Sequence, residues 1–145
     1  MGNLHFSELE VGFRLPPVIQ EVTQEVIDRN AVASLDYNPV HTDVEWCQRA
    51  QVFGTGKTVG HGMFTMSLMA SVVSREWYSE GAWIQRMDSK FTKPVEVGRT
   101  VRCAGTVIEL HPRGPGQSFV VVKLDASDSE GDTVAVGFAH VRIPD

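Results

Sequence analysis

The run Asp36-Tyr37-Asn38-Pro39-Val40-His41 sets a carboxylate and an imidazole on either side of a proline-stiffened turn. Histidine exchanges protons most readily near neutral pH, and aspartate can orient it or act as the base itself. Such a pair can hold a water molecule and take its proton. Further along, Gly60-His61-Gly62-Met63 reads as the start of a helix. Backbone N–H groups there lack intrahelical partners and carry partial positive charge, and glycine lets a ligand approach closely. An enolate oxygen formed from a thioester carbonyl would be stabilised at such a point. Together the two runs supply acid/base groups and an anion site, which suits chemistry at the carbon next to that carbonyl.

Each run also has a structural explanation. Asp36 can cap its turn or the helix that follows, and His41 can satisfy a backbone carbonyl. Asp-x-Asn-Pro is a common turn composition. His61 can be an ordinary cap at a glycine-rich helix start. Only the combination points to chemistry.

The elements that must position these groups are legible in the periodicity. Residues 13–22 read as an edge strand interrupted by Pro16-Pro17, which cannot donate to a ladder. Thr23 can cap a helix whose apolar positions Val26, Ile27, Ala31, Ala33 and Leu35 recur near helical spacing, and Asn38-Pro39 ends it. Asp43 can cap a short second helix through Ala50, and residues 53–57 form a flexible connection. Residues 60–77 form the main helix. It carries no charge from Met63 to Ser74 and is apolar all round, which predicts a buried position. It is too short to span a bilayer.

Four period-two segments follow, at 82–93, 100–110, 117–127 and 133–143, separated by turn residues. Short turns between them predict an antiparallel sheet. In the last segment Ala135, Gly137, Ala139, Val141 and Ile143 share a face, whose small residues would let a helix lie close. The expectation is an α+β hot-dog fold: one long buried helix wrapped by a curved antiparallel sheet, with residues 1–145 as a single domain. The exposed edges of such a sheet predict a homodimer or a higher oligomer of dimers.

Composition narrows the function classes. With 145 residues, 42% hydrophobic and 21% charged, the chain is an ordinary globular one. A net charge of −5 and the lack of a basic run argue against nucleic-acid binding. Met1-Gly2-Asn3-Leu4-His5 has no charged n-region or apolar h-region, so no secretory signal is expected. Phe6 stands where a myristoylation signal would carry Ser or Thr. Cys47 and Cys103 lie far apart, so a disulfide framework is not expected, and a soluble cytoplasmic protein is the default. Cys47 and the histidines His5, His61, His111 and His140 show no zinc-ligand spacing, and neither a metal nor another cofactor is expected.

Three segments resemble the MaoC-like hydratases, the (R)-specific 2-enoyl-CoA hydratases of the hot-dog superfamily. They are Ser34-Leu35-Asp36-Tyr37-Asn38-Pro39-Val40-His41, Val59-Gly60-His61-Gly62-Met63-Phe64-Thr65, and Phe91-Thr92-Lys93-Pro94-Val95-Glu96-Val97-Gly98. The resemblance covers nearly the whole chain. It implies that Asp36 and His41 activate water and that the Gly62 N–H holds the thioester oxygen. Asn38 would order the loop and bond the water, and His61, Tyr37 and Ser67 would contact substrate. Ser67 also has a plainer explanation, a hydroxyl bonding back to the preceding turn. Tyr37 and Trp46 are candidates for the substrate wall, and Phe53, Met66 and Trp83 join Trp46 in shaping the far end of the pocket. The family usually has Gly immediately before the Asp, where this chain has Leu35. Since the motif is otherwise kept, Leu35 is expected in ordinary backbone, adding apolar contact near the acyl entrance.

The implied reaction is reversible addition of water to a 2-enoyl thioester, giving a (3R)-3-hydroxyacyl thioester. The acyl carrier is coenzyme A or an acyl carrier protein, met by some of Arg49, Lys57, Lys90, Lys93, Arg99 and Arg113. A hot-dog acyl thioesterase and a non-catalytic acyl-thioester-binding partner subunit are the competing readings.

Overall fold

The computed structural model describes residues 4–144. Met1, Gly2 and Asn3, on which the reading of the N-terminus partly rests, and Asp145 lie outside the described residues. The element order is β1 (Arg14–Glu21), α1 (Gln24–Ser34), α2 (Pro39–Thr42), α3 (Val44–Ala50), α4 (Gly62–Trp77), β2 (Trp83–Phe91), β3 (Thr100–His111), β4 (Phe119–Asp128) and β5 (Thr133–Arg142). All five strands join one antiparallel sheet in the order β1-β3-β4-β5-β2, with α4 packed against one face of it.

Local sequence explains each boundary. Thr23 caps α1 by accepting the Val26 N–H at 3.1 Å, and Asp43 caps α3 through the Trp46 N–H at 2.9 Å. The one-turn helix α2, which the periodicity does not reveal, starts at Pro39 and is capped by Asn38, whose Oδ1 accepts the Val40 N–H at 3.1 Å. Pro16-Pro17 occupy an irregularity of β1 between Leu15 and Val18, as expected for an edge strand.

The core is aliphatic and valine-rich. Met69, Val72 and Val73 of α4 meet Val101, Val107, Val120, Val122, Leu124 and Val141 of the sheet, all fully buried. β-branched side chains suit this pleated, covered face. The predicted β5 face (Ala135, Gly137, Ala139, Val141, Ile143) does point inward. Its smallness has a different cause from the one expected, however. A Cβ at Gly137 would collide with the Asp88 carbonyl oxygen of β2. The close approach of α4 is instead at Gly105 of β3, where a Cβ would lie 3.0 Å from Val72 Cγ1.

Two further expectations are corrected. The helix predicted to be buried all round is buried on one face only, through Thr65, Leu68, Met69, Val72, Val73 and Trp77. Its opposite face is open in this single chain, with Met63 62% exposed and Ser67 also exposed. The other correction concerns residues 92–99, which do not form a hairpin turn. β2 lies at one edge beside β5, while β3 lies beside β1, so this connection runs past the start of α4. There the Gly60 N–H donates to Val95 O at 2.8 Å and the Val97 N–H to Thr58 O at 3.0 Å.

Candidate active site

The α1–α2 connection is shaped by Leu35. It ends α1 in left-handed backbone (φ 59°, ψ 24°), and the Asp36 N–H reaches back to Ala31 O at 3.1 Å. This overturns the expectation of ordinary backbone at Leu35. The side chain is 77% exposed, so it makes no apolar wall either. The position demands the backbone that glycine supplies freely, and Leu adopts it at a steric cost.

From this bend the chain delivers Asp36 and, one turn later, His41. Asp36 Oδ1 accepts the Asn38 N–H at 3.3 Å, and the His41 N–H donates to Asn38 O at 2.9 Å. The His41 Nδ1 lies 2.7 Å from Val59 O. A carbonyl only accepts, so Nδ1 carries the proton and Nε2 presents a lone pair. Both structural readings of the pair are thus realised, and each uses only one of its two polar atoms. Burial lowers the His41 pKa from its ordinary value; the neighbouring His61 adds to this, while the Val59 carbonyl and Asp36 oppose it. This favours the neutral, proton-accepting form of the imidazole.

His61 lies behind His41. It is 2% exposed, and its ring stacks on the His41 ring with centroids 3.8 Å apart and planes at 27°. Its Nε2 donates to Asp36 O at 3.0 Å and sits 4.0 Å from Asp36 Oδ2. Its side chain makes no cap hydrogen bond with α4. Asp36, His41 and His61 bring one ligand-type atom each within 4.8 Å of one another. In this trio His41 Nδ1 and His61 Nε2 are committed to carbonyl oxygens, which leaves His41 Nε2, His61 Nδ1 and the Asp36 carboxylate as its open acceptors.

A cavity of about 380 Å³ opens beside His41. Gly60, Gly62 and Thr65 at the start of α4, Val59, Phe53, Val134 and the stretch from Phe91 to Val95 complete its lining. Gly62 is the first residue of a sixteen-residue helix, so its N–H has no intrahelical partner. A Cβ there would lie 3.1 Å from the Phe91 ring. The cavity therefore joins a mostly apolar wall to a lone pair at His41 and an N–H donor at Gly62.

Of the residues expected at the site, His41, Gly62 and Phe53 line this cavity, and Asp36 and His61 stand against His41. Asn38 orders the loop through its Oδ1. Tyr37 is exposed and off the cavity wall. Ser67 donates to Met63 O at 2.8 Å on the open face of α4, which is the plainer of its two explanations. Trp46 and Met66 do not line the cavity, and Trp83 sits at the far end of β2 from Phe91, beneath the Arg142 guanidinium. Among the expected basic residues, Lys93 alone lines the cavity, and it is ion-paired with Asp132.

Three contributors escaped sequence reading. Gln24, the first residue of α1, donates from Nε2 to His41 O at 2.9 Å, and its Oε1 accepts from the buried Thr58 hydroxyl at 2.5 Å. Val59 supplies the carbonyl that fixes the His41 tautomer. A glutamine just after a helix cap carries no pattern that distinguishes it from a solvated one.

Comparisons with known proteins agree with this geometry. The sequence model of the MaoC like domain matches residues 13–128. Over 143 residues the chain is 29% identical to a 3-hydroxybutyryl-CoA dehydratase of Methylorubrum extorquens, covering 97% of this chain and 85% of the relative. The fold superposes on R-hydratase PhaJ1 from Pseudomonas aeruginosa with a TM-score of 0.86 at 24% identity, covering 99% and 87% of the two chains. It superposes on an (R)-hydratase from A. caviae with a TM-score of 0.79 at 22% identity, covering 94% and 98%. The chain belongs to the MaoC-like domain family of hydratases and dehydratases and has its hot-dog fold.

Proposed function

We propose that the protein adds water reversibly to a 2-enoyl thioester, giving a (3R)-3-hydroxyacyl thioester. The observation that carries this reading is the placement of the His41 imidazole and the Gly62 N–H on one cavity, with Asp36 beside the imidazole. Groups within 4.8 Å of each other can be bridged by one water, since each hydrogen bond to it spans about 2.8 Å.

In the proposed step the water lies between Asp36 and His41. Asp36 Oδ2 accepts one of its hydrogens and orients it; His41 Nε2 takes the other as the oxygen bonds to C3. The C2=C3 electron pair shifts toward C1, and the charge on the thioester oxygen is met by the Gly62 N–H. The imidazolium then returns its proton to C2. The (3R) outcome follows from the family resemblance. The Phe91, Val59 and Val134 side chains make an apolar lining that suits a hydrocarbon acyl group, and Lys93 at the wall is the cation we assign to the carrier, coenzyme A or an acyl carrier protein.

We further propose a homodimer formed through β2. Of the two free sheet edges, β1 is blunted by Pro16-Pro17, whereas β2 has no proline. Both cysteines are free and buried, which suits a cytoplasmic location. Among the described residues no helix is long and apolar enough to cross a membrane.

The test is to mix the protein with crotonyl-CoA and follow loss of the conjugated enoyl absorbance. Hydration with release of no free thiol supports the reading. Thiol release without hydration would make the protein a thioesterase, and inactivity toward short, long and branched enoyl thioesters alike would contradict turnover.

A further inference from the structure

His61 holds one polar atom that nothing uses. Because Nε2 donates to Asp36 O, Nδ1 is a bare acceptor, fully buried and without a partner among the described residues. A buried acceptor left unpaired is unfavourable, and an apolar side chain of similar size would fill the space without that cost. A histidine at this point needs another reason, and its two remaining contacts supply one.

The first contact is with the His41 ring. Only one edge of that ring is anchored, by Nδ1–H to Val59 O, and a single hydrogen bond leaves the ring free to tilt about it. The His61 ring at 3.8 Å closes one side of that tilt and keeps Nε2 toward the cavity. The second contact is with Asp36. The Asp36 backbone follows a left-handed residue in an exposed connection, and its carbonyl is tied down by His61 Nε2–H at 3.0 Å. The chain itself gives the third tie, because His61 directly precedes Gly62, the first residue of α4.

We propose that His61 is a positioning residue that locks the Asp36–His41 pair to the Gly62 N–H. It touches neither the cavity nor the reacting atoms. It sets the distance between the groups that activate water and the donor that receives the oxyanion, so that the two ends of the reaction keep one geometry. This inference rests on the hydratase reading for its catalytic consequence, but the ring arrangement it claims is independent of turnover.

Three substitutions and two readouts test it. His61→Gln places an amide N–H where Nε2 stood, His61→Phe keeps a ring face without the donor, and His61→Ala removes both. With crotonyl-CoA, His61→Gln is expected to stay within about threefold of wild-type kcat, His61→Phe to fall about tenfold, and His61→Ala about 100-fold, all with KM within about twofold. A side chain that binds substrate would move KM instead. The second readout is the ring ¹⁵N spectrum. Wild type is expected to show His41 as a single Nδ1–H tautomer with sharp signals and His61 as Nε2–H, and in His61→Ala the His41 tautomer is kept by Val59 O while its ring signals broaden as the ring tilts.

Unbroadened His41 ring signals in folded His61→Ala, or a kcat of that variant within threefold of wild type, would overturn the proposal. If wild type fails to hydrate any enoyl thioester, the hydratase reading falls, and the ¹⁵N signals still decide the role of His61.

Discussion

The Phe91 ring occupies the space that a side chain at Gly62 would need: a Cβ added there would lie 3.1 Å from two of its ring carbons. The glycine at the head of α4 is thus required by a residue from the end of β2, and both line the cavity. The element that offers the N–H and the element that walls the acyl site are fitted to each other.

Gly62→Ala is therefore expected to fold, because Phe91 is 47% exposed and can swing aside, but to lose function as the ring is pushed into the cavity. The loss in kcat/KM should be about tenfold or more. Gly62→Ala/Phe91→Ala should recover part of it, measured with crotonyl-CoA. Equal losses in the single and double variants would show that Phe91 is not the obstruction.

Leu35 gives a stability prediction. An L-residue in left-handed backbone costs about 1–2 kcal/mol, partly offset on replacement by the greater freedom of glycine in the unfolded chain. The exposed side chain contributes little burial. Leu35→Gly should stabilise the protein by about 0.5–1 kcal/mol in urea unfolding, with activity kept. Destabilisation would mean that the leucine makes contacts in solution that its exposure here denies.

How much of this was legible beforehand depended on whether a residue's role was local. The Asp36–His41 turn, the Thr23 and Asp43 caps and the five strands follow from spacing, and each was readable. Leu35 runs against a local rule: the family's usual glycine at that place signals left-handed backbone, and the leucine adopts it all the same, where ordinary backbone is the expectation. Gly137 was given the wrong neighbour, since only the β2–β5 pairing reveals Asp88. Gln24, Thr58 and Val59 were invisible for the same reason: they act across the fold, on a residue far away in the chain.

Gln24 allows that long-range role to be measured. Its Nε2–H to His41 O ties the backbone of α2 to α1. Gln24→Glu replaces the donor with an acceptor that faces a carbonyl, and should lower kcat about tenfold with the fold intact by circular dichroism. Wild-type kcat in this variant would remove Gln24 from the positioning network.

The pH dependence follows from His41. Its pKa lies below the ordinary 6.5, chiefly through burial, so the neutral base persists as pH falls through that value. The acid limb of kcat/KM is expected below pH 6.5. The sign is the same for stability: the unfolded chain takes up the proton first, so the contribution of His41 is present above 6.5 and is lost as pH drops through the folded-state value. An acid limb above 7 would mean that charge stabilisation by Asp36 outweighs burial.

The most direct test compares hydration of crotonyl-CoA by wild type, Asp36→Asn and His41→Ala, with the product's configuration read by chiral analysis. Loss of about 10³-fold in kcat in each variant, KM changing little, and a (3R)-3-hydroxyacyl product from wild type are the predicted result. Equal activity in wild type and both variants would contradict the assignment of water activation to Asp36 and His41.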